Sequence, residues 1–294
     1  MRDLIKLMKY AYGYIRNRLS LIKLSIYGIL FRNKFKRVEQ FCMFVGYPRT
    51  GHSLLGALLD AHPDFVIAME WNVLASVRRR LTKHQIYWAL VSNARNFRAK
   101  KDCTWTGYSY KVEDSWQGKF RQIKVIGDKM GSISAKLLGQ DFTLIDKLEQ
   151  KTGLRPKIIH VIRNPFDTIT TMVTRQKQKS APNEELRPID FLERIYRYLE
   201  NVNVMMKLKE QDKYEILDIY HEKLIEYPKE TLHKIISFYN MQAEDEYYQN
   251  CAEIIYKQPN LSRFKVEWPS ELIDFVLNQI KDIPYLAHYT YVES

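Results

Sequence analysis

Short apolar runs alternate with helical patterns along most of the chain. QFCMFVG (Gln40 to Gly46), FVIA (Phe65 to Ala68), IKVIG (Ile123 to Gly127), KIIHVI (Lys157 to Ile162) and YEILDIY (Tyr214 to Tyr220) have the length and β-branched content of buried strands. Between them, apolar positions recur at helical spacing from Gly51 to Ala61, Ser132 to Gln150, Pro165 to Arg175, Ile189 to Lys209 and Pro228 to Tyr239. Strands alternating with helices predict an α/β fold of three layers, with a central, mainly parallel sheet and helices on both faces. Ligands of such sheets bind beyond the carboxyl ends of the strands.

No internal repeat, low-complexity run or long linker divides the chain, so one domain is expected over 38–294, after a separate segment over 1–37. That segment carries Arg2, Lys6, Lys9, Arg16, Arg18, Lys23, Arg32, Lys34, Lys36 and Arg37 against a single acid, Asp3. Its apolar stretch from Leu19 to Phe31 is shorter than the roughly 20 residues of a spanning helix and is interrupted by Lys23. Leu19, Ile22, Ile26, Ile29 and Leu30 recur at helical spacing, which leaves two readings open. The helix lies on an anionic membrane surface, or it packs on the domain with its cationic side solvated.

Composition narrows the partners. The 294 residues are 46% hydrophobic, as in a globular protein, and the net charge is +12, which favours an anionic partner. Cys42, Cys103 and Cys251 are far apart and form no CxxC pair, so neither a disulfide framework nor a zinc site is expected. They fit a reducing, cytoplasmic location, with membrane association through the N-terminal segment expected ahead of a Golgi-type anchor. No usual RNA-binding motif is present, and no nucleic-acid partner is expected.

The chemistry begins at GYPRTGHS, Gly46 to Ser53, where the first strand turns into the first helix. The glycines let several backbone N–H groups converge on one anion, and the helix adds its positive end. Gly46, Gly51 and Ser53 have the spacing of a GxxxxGK[ST] loop, but His52 stands where such a loop has lysine. A kinase or NTPase needs that lysine for its phosphates, which weighs against a Mg²⁺-dependent reading. Arg49 supplies a permanent charge whose fork can hold phosphate or sulfonate oxygens.

GYPRTGHSLLGALLDAHPDFVIAMEWN resembles the donor loop of the sulfotransferases that use PAPS (3′-phosphoadenosine 5′-phosphosulfate), which reads like PRSGTTLL…LLDAHP. The arginine form of the loop is similar to the tyrosylprotein and carbohydrate branches of that family. HVIRNPFDTITTMVTR, His160 to Arg175, resembles the family's second motif. Arg163 and Thr171 stand eight residues apart, as do the arginine and serine of its 3′-phosphate site. IYHEKLIEYPKETLHKIISFY, from Ile219, and LSRFKVEW, Leu261 to Trp268, are weaker echoes of the late segment and the nucleotide-covering loop.

The resemblance implies a P-loop fold and transfer of a sulfonate group from PAPS, leaving PAP, to a hydroxyl or amine, without a metal; a small-molecule or carbohydrate acceptor is expected ahead of a protein tyrosine, since neither a secretory signal nor a cysteine framework is read. It implies donor contacts from Arg49, Thr50, Gly51, His52, Ser53, Leu54, Arg163, Thr171, Tyr220 and Arg263. By position within the motif Glu70 is the candidate general base, and Lys129 the cation for the sulfonate or bridging oxygen. His52 is open as a donor to the 5′-phosphosulfate, as an alternative base, or as a packing residue. Asp128 either orients Lys129 or the acceptor or, as part of a Walker-B-like strand, binds Mg²⁺. His62 and His160 read as structural. Aromatic Trp88, Trp105, Tyr108, Tyr110 and Trp116 are candidates for stacking on an acceptor ring. The loop Gln176 to Pro188 is a candidate lid. The competing hypotheses are a Mg²⁺-dependent P-loop kinase or NTPase, and a non-catalytic basic protein bound to membrane or RNA.

Overall fold

A computed structural model describes residues 19–105 and 107–292; the basic residues read within 1–18 lie outside them. A helix over 19–30 (α1) leads through a 3-10 turn, Arg32–Phe35, into β1 (Gln40–Phe44). There follow α2 (His52–Asp60), β2 (Phe65–Ala68), α3 (Val73–Arg78), α4 (Lys83–Arg98) and β3 (Val125–Asp128). Then come α5 (Gly131–Gln140), α6 (Thr143–Thr152), β4 (Pro156–Ile162), α7 (Pro165–Ser180) and α8 (Pro188–Glu210). The chain ends in β5 (Ile216–Tyr220), α9 (His221–Glu226), α10 (Pro228–Phe238), α11 (Asp245–Glu253) and α12 (Ser270–Ile280).

All five strands run parallel in the order β2-β3-β1-β4-β5. Central β1 pairs on both sides, with Cys42 opposite Gly127 of β3 and Lys157 of β4. Period-two side-chain alternation divides the core in two. Phe41 and Met43 enter the large cluster built with α3 to α8 and α12. Cys42 and Phe44 enter the other, built with α2 and α9 to α11. Both faces are therefore covered, which is why the strands read as unbroken apolar runs. The chain leaves β1 towards β2 and leaves β4 towards β5, in opposite directions across the sheet. That reversal opens a crevice at the carboxyl ends of β1 and β4.

Three expected boundaries move. The long helix read from Ser132 to Gln150 is two helices. It breaks where Asp141 becomes extended and its carboxylate accepts the Thr143 N–H at 3.0 Å. The helix read to Arg175 continues to Ser180. The lid expected over Gln176 to Pro188 is held down, because buried Lys177 pairs with Glu184 (3.2 Å) and Asp190 (3.3 Å). Helix α4 lies within the aromatic segment for which no helix was read. Its Thr82…Gln85 capping box, with reciprocal bonds of 2.8 and 3.4 Å, was visible as T-x-x-Q.

Candidate donor and transfer site

The loop between β1 and α2 is the floor of the crevice. Arg49 adopts a left-handed φ of 68° and Gly51 a φ of 98°, successive departures that turn backbone N–H groups towards one point. Thr50 is buried and donates to the Tyr47 carbonyl (3.2 Å), fixing the turn. A side chain at Gly51 would put its Cβ 2.6 Å from the His221 ring, so glycine is needed for contact as well as for φ. Leu54 is buried in the core, leaving its backbone as the part near the loop.

Ser53 of the loop meets the next element across the sheet. Lys129, just past β3, is almost fully buried and runs over α2 at Gly56, where a Cβ would come 2.7 Å from its Cγ. Its ammonium donates to Ser53 Oγ (2.9 Å) and to Glu70 Oε1 (2.8 Å). Burial lowers the ammonium below its ordinary value, and the Glu70 charge opposes that shift. The Glu70 side chain is 38% exposed and faces the open side of this ion pair.

Asp128 aims Glu70. It is buried, and its two oxygens accept the N–H groups of Trp71 (3.0 Å) and Val73 (2.7 Å). Those bonds hold a turn in which Glu70 (φ 63°) and Asn72 (φ 70°) are both left-handed, a strain of about 1–3 kcal/mol each. Burial raises the Asp128 carboxyl to about 6. With both oxygens engaged by backbone donors, Asp128 organises the turn that carries Glu70.

His52 lies beneath the loop. It is buried edge-on against Phe44, its Nε2 has no hydrogen-bond partner, and burial, then the Lys129 charge, lowers it to about 3. Burial therefore favours the neutral ring at this position. His62 bonds to the Gln242 carbonyl and His160 to Asp218, both at 2.9 Å, as structural histidines do.

On the β4 side, Arg163 is buried and donates to the Arg49 carbonyl (3.1 Å), to Ser262 Oγ (3.3 Å) and to the Asn260 carbonyl. Thr171 donates to the Asp167 carbonyl (2.8 Å) and lies 3.2 Å from Ser262 Oγ. Arg163, Thr171 and Ser262 thus converge, and Ser262 was not singled out in the sequence. Two other residues were also missed. Arg175, one turn beyond Thr171, lies over the Tyr108 ring (5.5 Å) and is close enough to Arg49 to lower it, second only to burial. Among the described residues neither guanidinium has an ion-pair partner. His221 packs under Gly51 with Nδ1 unpaired, and burial, then Arg163, lowers it to about 3.

Two expected donor contacts lie elsewhere. Arg263 is fully buried, with Nη1 2.6 Å from Asp167 and Nε 2.7 Å from the Tyr291 carbonyl, so it fastens the C-terminal segment to α7. Tyr220 turns edge-on to His288 (5.4 Å), and the next residue, His221, is the one against the loop. Of the aromatic residues, Trp105 lies 5.9 Å from Lys129 Nζ, and Tyr108 is followed by Tyr110 (6.4 Å) and Tyr256 (6.5 Å). Trp88 lies instead under α1, against Tyr27 and Phe31. The Trp116 N–H bonds to the Ala61 carbonyl, at the far end of α2.

Comparisons with known proteins agree with this arrangement. Residues 154–245, which include Arg163, Thr171 and Arg175, match the profile of the sulfotransferase family. A relative from Caenorhabditis briggsae named as a protein-tyrosine sulfotransferase is 25% identical over 69% of this chain and 66% of its own length. Protein-tyrosine sulfotransferase 1 of Danio rerio is 26% identical over 76% of this chain. The chain spans 66% and 59% of the lengths of these two relatives. The sulfotransferase domain from the curacin biosynthetic pathway shares the fold, with a TM-score of 0.54 at 14% identity over 85% of this chain and 99% of that domain. With its two motifs meeting across one crevice, the chain is similar to the sulfotransferase family, whose profile its residues 154–245 match and whose tyrosylprotein members it resembles over 69–76% of its length.

Proposed function

We propose that this protein transfers the sulfonate group of PAPS to an acceptor hydroxyl or amine, with residues 38–294 carrying the whole site. The observation that carries the proposal is the Lys129 ammonium held between Ser53 of the donor loop and Glu70 (2.9 and 2.8 Å), on the open side of the crevice. One cation thereby touches both the anion-binding turn and a carboxylate that can accept a proton. Arg49 and Arg175, like charges side by side without ion-pair partners among the described residues, suit a polyanionic ligand. The loop backbone from Thr50 to Leu54 with Arg49 would hold the 5′-phosphosulfate, and Arg163, Thr171, Ser262 and Arg175 the 3′-phosphate.

PAPS bound there supplies a sulfonate already activated by a phosphate leaving group. Glu70 takes the proton of the acceptor at a carboxylate oxygen as the acceptor's lone pair forms the new bond to sulfur, and the bond from sulfur to the bridging phosphate oxygen breaks with its electron pair leaving on PAP. Lys129 and Arg49 offset the negative charge that builds on the sulfonate and leaving-phosphate oxygens. Because Lys129 and Glu70 are paired beforehand, the proton acceptor and the charge stabiliser keep fixed relative positions. Neutral, buried His52 leaves the base role to Glu70. It also removes the cation that a Mg²⁺-dependent phosphoryl transferase places at this point of the loop.

For the acceptor we propose a hydroxyl carried on a ring, in a small molecule or a carbohydrate. Trp105, Tyr108, Tyr110 and Tyr256 offer aromatic faces next to Lys129 and Arg175. The names of the relatives favour a second reading, the phenol of a tyrosine in a protein, and an acceptor panel separates the two.

Calorimetry with PAP, AMP and ATP–Mg²⁺ tests the donor. The expected outcome is tight PAP binding without Mg²⁺ and weak AMP binding, with the preference for PAP over AMP lost in Arg163→Ala. Glu70→Ala is expected to bind PAP nearly as the parent does while turnover falls by about 10²–10⁴. Preference for ATP–Mg²⁺ would overturn the proposal.

A further inference from the structure

Helix α1 has two apolar faces. One packs on α4: Leu24 is buried, Gly28 lies against the His84 backbone so closely that a Cβ would come 2.8 Å from its carbonyl oxygen, and Tyr27 stacks on Trp88 at 5.0 Å. Ser25 extends the contact by accepting from Gln85 at 2.7 Å. The opposite face carries Leu19, Ile22, Ile26, Ile29 and Leu30, exposed by 54, 52, 51, 60 and 67%. At helical spacing these five fall within about 100° of arc, centred away from Leu24 and Gly28.

A helix that merely covered the domain would present polar side chains outward. This one presents its most apolar stripe, and a contiguous exposed apolar patch marks an interaction surface. The charges at its border indicate the partner. From residue 19 to 38 the chain has Lys23, Arg32, Lys34, Lys36 and Arg37, all exposed, and no acid. Arg79 and Arg80 are exposed at the turn into α4, close to His84, on which Gly28 rests.

We infer that α1 and the basic turn after it form a docking surface for an anionic lipid bilayer, with the isoleucine–leucine stripe entering the headgroup boundary and the cations facing the anionic headgroups. The proposed contact is in-plane, since the stripe runs along one side of α1 and its cations flank it. Phe35, after α1, packs on Tyr87 near the start of α4, while Lys100, beyond the other end of α4, covers Trp105 beside Lys129. Tyr87 and Lys100 are 13 residues apart, about 20 Å of helix rise. The start of α4 beneath the docked surface and the transfer site are thus separate parts of the molecule.

Co-sedimentation of the full chain with phosphatidylcholine vesicles, with and without phosphatidylglycerol, tests this. Binding is expected to the phosphatidylglycerol vesicles, to weaken as salt is raised, and to fall on the order of ten-fold in Ile26→Glu/Leu30→Glu and in Lys34→Glu/Lys36→Glu. Both variants change exposed positions and are expected to bind PAP as the parent does. Equal binding to uncharged vesicles, or binding unchanged in Ile26→Glu/Leu30→Glu, would overturn the inference. So would a dimer of the parent that this variant dissociates while no vesicle binding is seen, since the stripe would then be the seat of a second copy.

Discussion

Burial draws the Lys129 ammonium below its ordinary value against the opposing pull of Glu70, and that sets how the site responds to alkali. The charged form is the one that can stabilise the leaving group, so activity is lost as pH rises through the lowered value. The alkaline limb of kcat is therefore expected below 10.5, the ordinary lysine value. In Lys129→Arg, where the guanidinium stays charged, the limb should move up or vanish even though kcat falls. A pH profile from neutrality to 10.5 reads this, and an unchanged limb in Lys129→Arg would assign the titration to another group. Arg49, Arg163, Thr171 and Glu70 were legible in the sequence because each belongs to a local pattern of loop, strand end and helix start. Arg175, His221 and Ser262 were not, because their place in the site depends on packing between distant segments. Arg175 matters through its closeness to Arg49, His221 through the ring under Gly51, and Ser262 through a segment that returns from the far end of the chain. Arg263 was misplaced for the same reason. A basic residue near a nucleotide-covering motif looks the same in sequence whether it points at the ligand or into the protein.

Arg263 in fact ties two elements together. Its guanidinium and backbone N–H both reach Asp167 in the first turn of α7, at 2.6 and 2.8 Å, with arginine and acid alike buried. The same segment carries Asn260 and Ser262, which receive Arg163, so the anchor of the C-terminal segment also sets the 3′-phosphate end of the site. Truncating one partner of a buried pair leaves the other charge uncompensated. Arg263→Ala should accordingly cost about 3–5 kcal/mol, read as a lower urea midpoint at unchanged m-value. Its PAP affinity should fall further than that of the Glu70→Ala protein, because Ser262 loses its support. A loss of stability below about 1 kcal/mol would mean that the segment is held by other contacts. Helix ends were harder to read than helices. The Asp141 break and the extension of α7 to Ser180 depend on one side-chain bond and on the buried cation Lys177, neither of which alters the apolar periodicity.

Strand order is the feature that joins these parts. With β1 at the centre of β2-β3-β1-β4-β5, the donor loop, the Lys129 turn and the Arg163 turn all emerge on one edge, though they lie some 80 and 115 residues apart in sequence. The strands and their parallel direction were legible as unbroken apolar runs between helices; the order itself became visible only in the pairing. The assembly concentrates Arg49, Lys129, Arg163 and Arg175 around one crevice in a chain whose net charge is already +12, with Glu70 paired to Lys129, and Asp167 and Glu222 acting on Arg163. Such a cluster repels itself until an anion enters, so a ligand that binds the folded state alone should stabilise the whole molecule. At a hundredfold excess over its Kd, PAP is expected to add about 2.7 kcal/mol, which for a chain of this size raises Tm on the order of 5 °C. Inorganic sulfate should give a smaller rise, since it fills one of the two anion positions. In Arg163→Ala the rise with sulfate should persist while the extra rise with PAP shrinks, as expected if the 3′-phosphate is held there. A rise with PAP that survives Arg163→Ala unchanged would place the 3′-phosphate away from the Arg163–Thr171–Ser262 group, and with it the division of the crevice into two anion positions would fail.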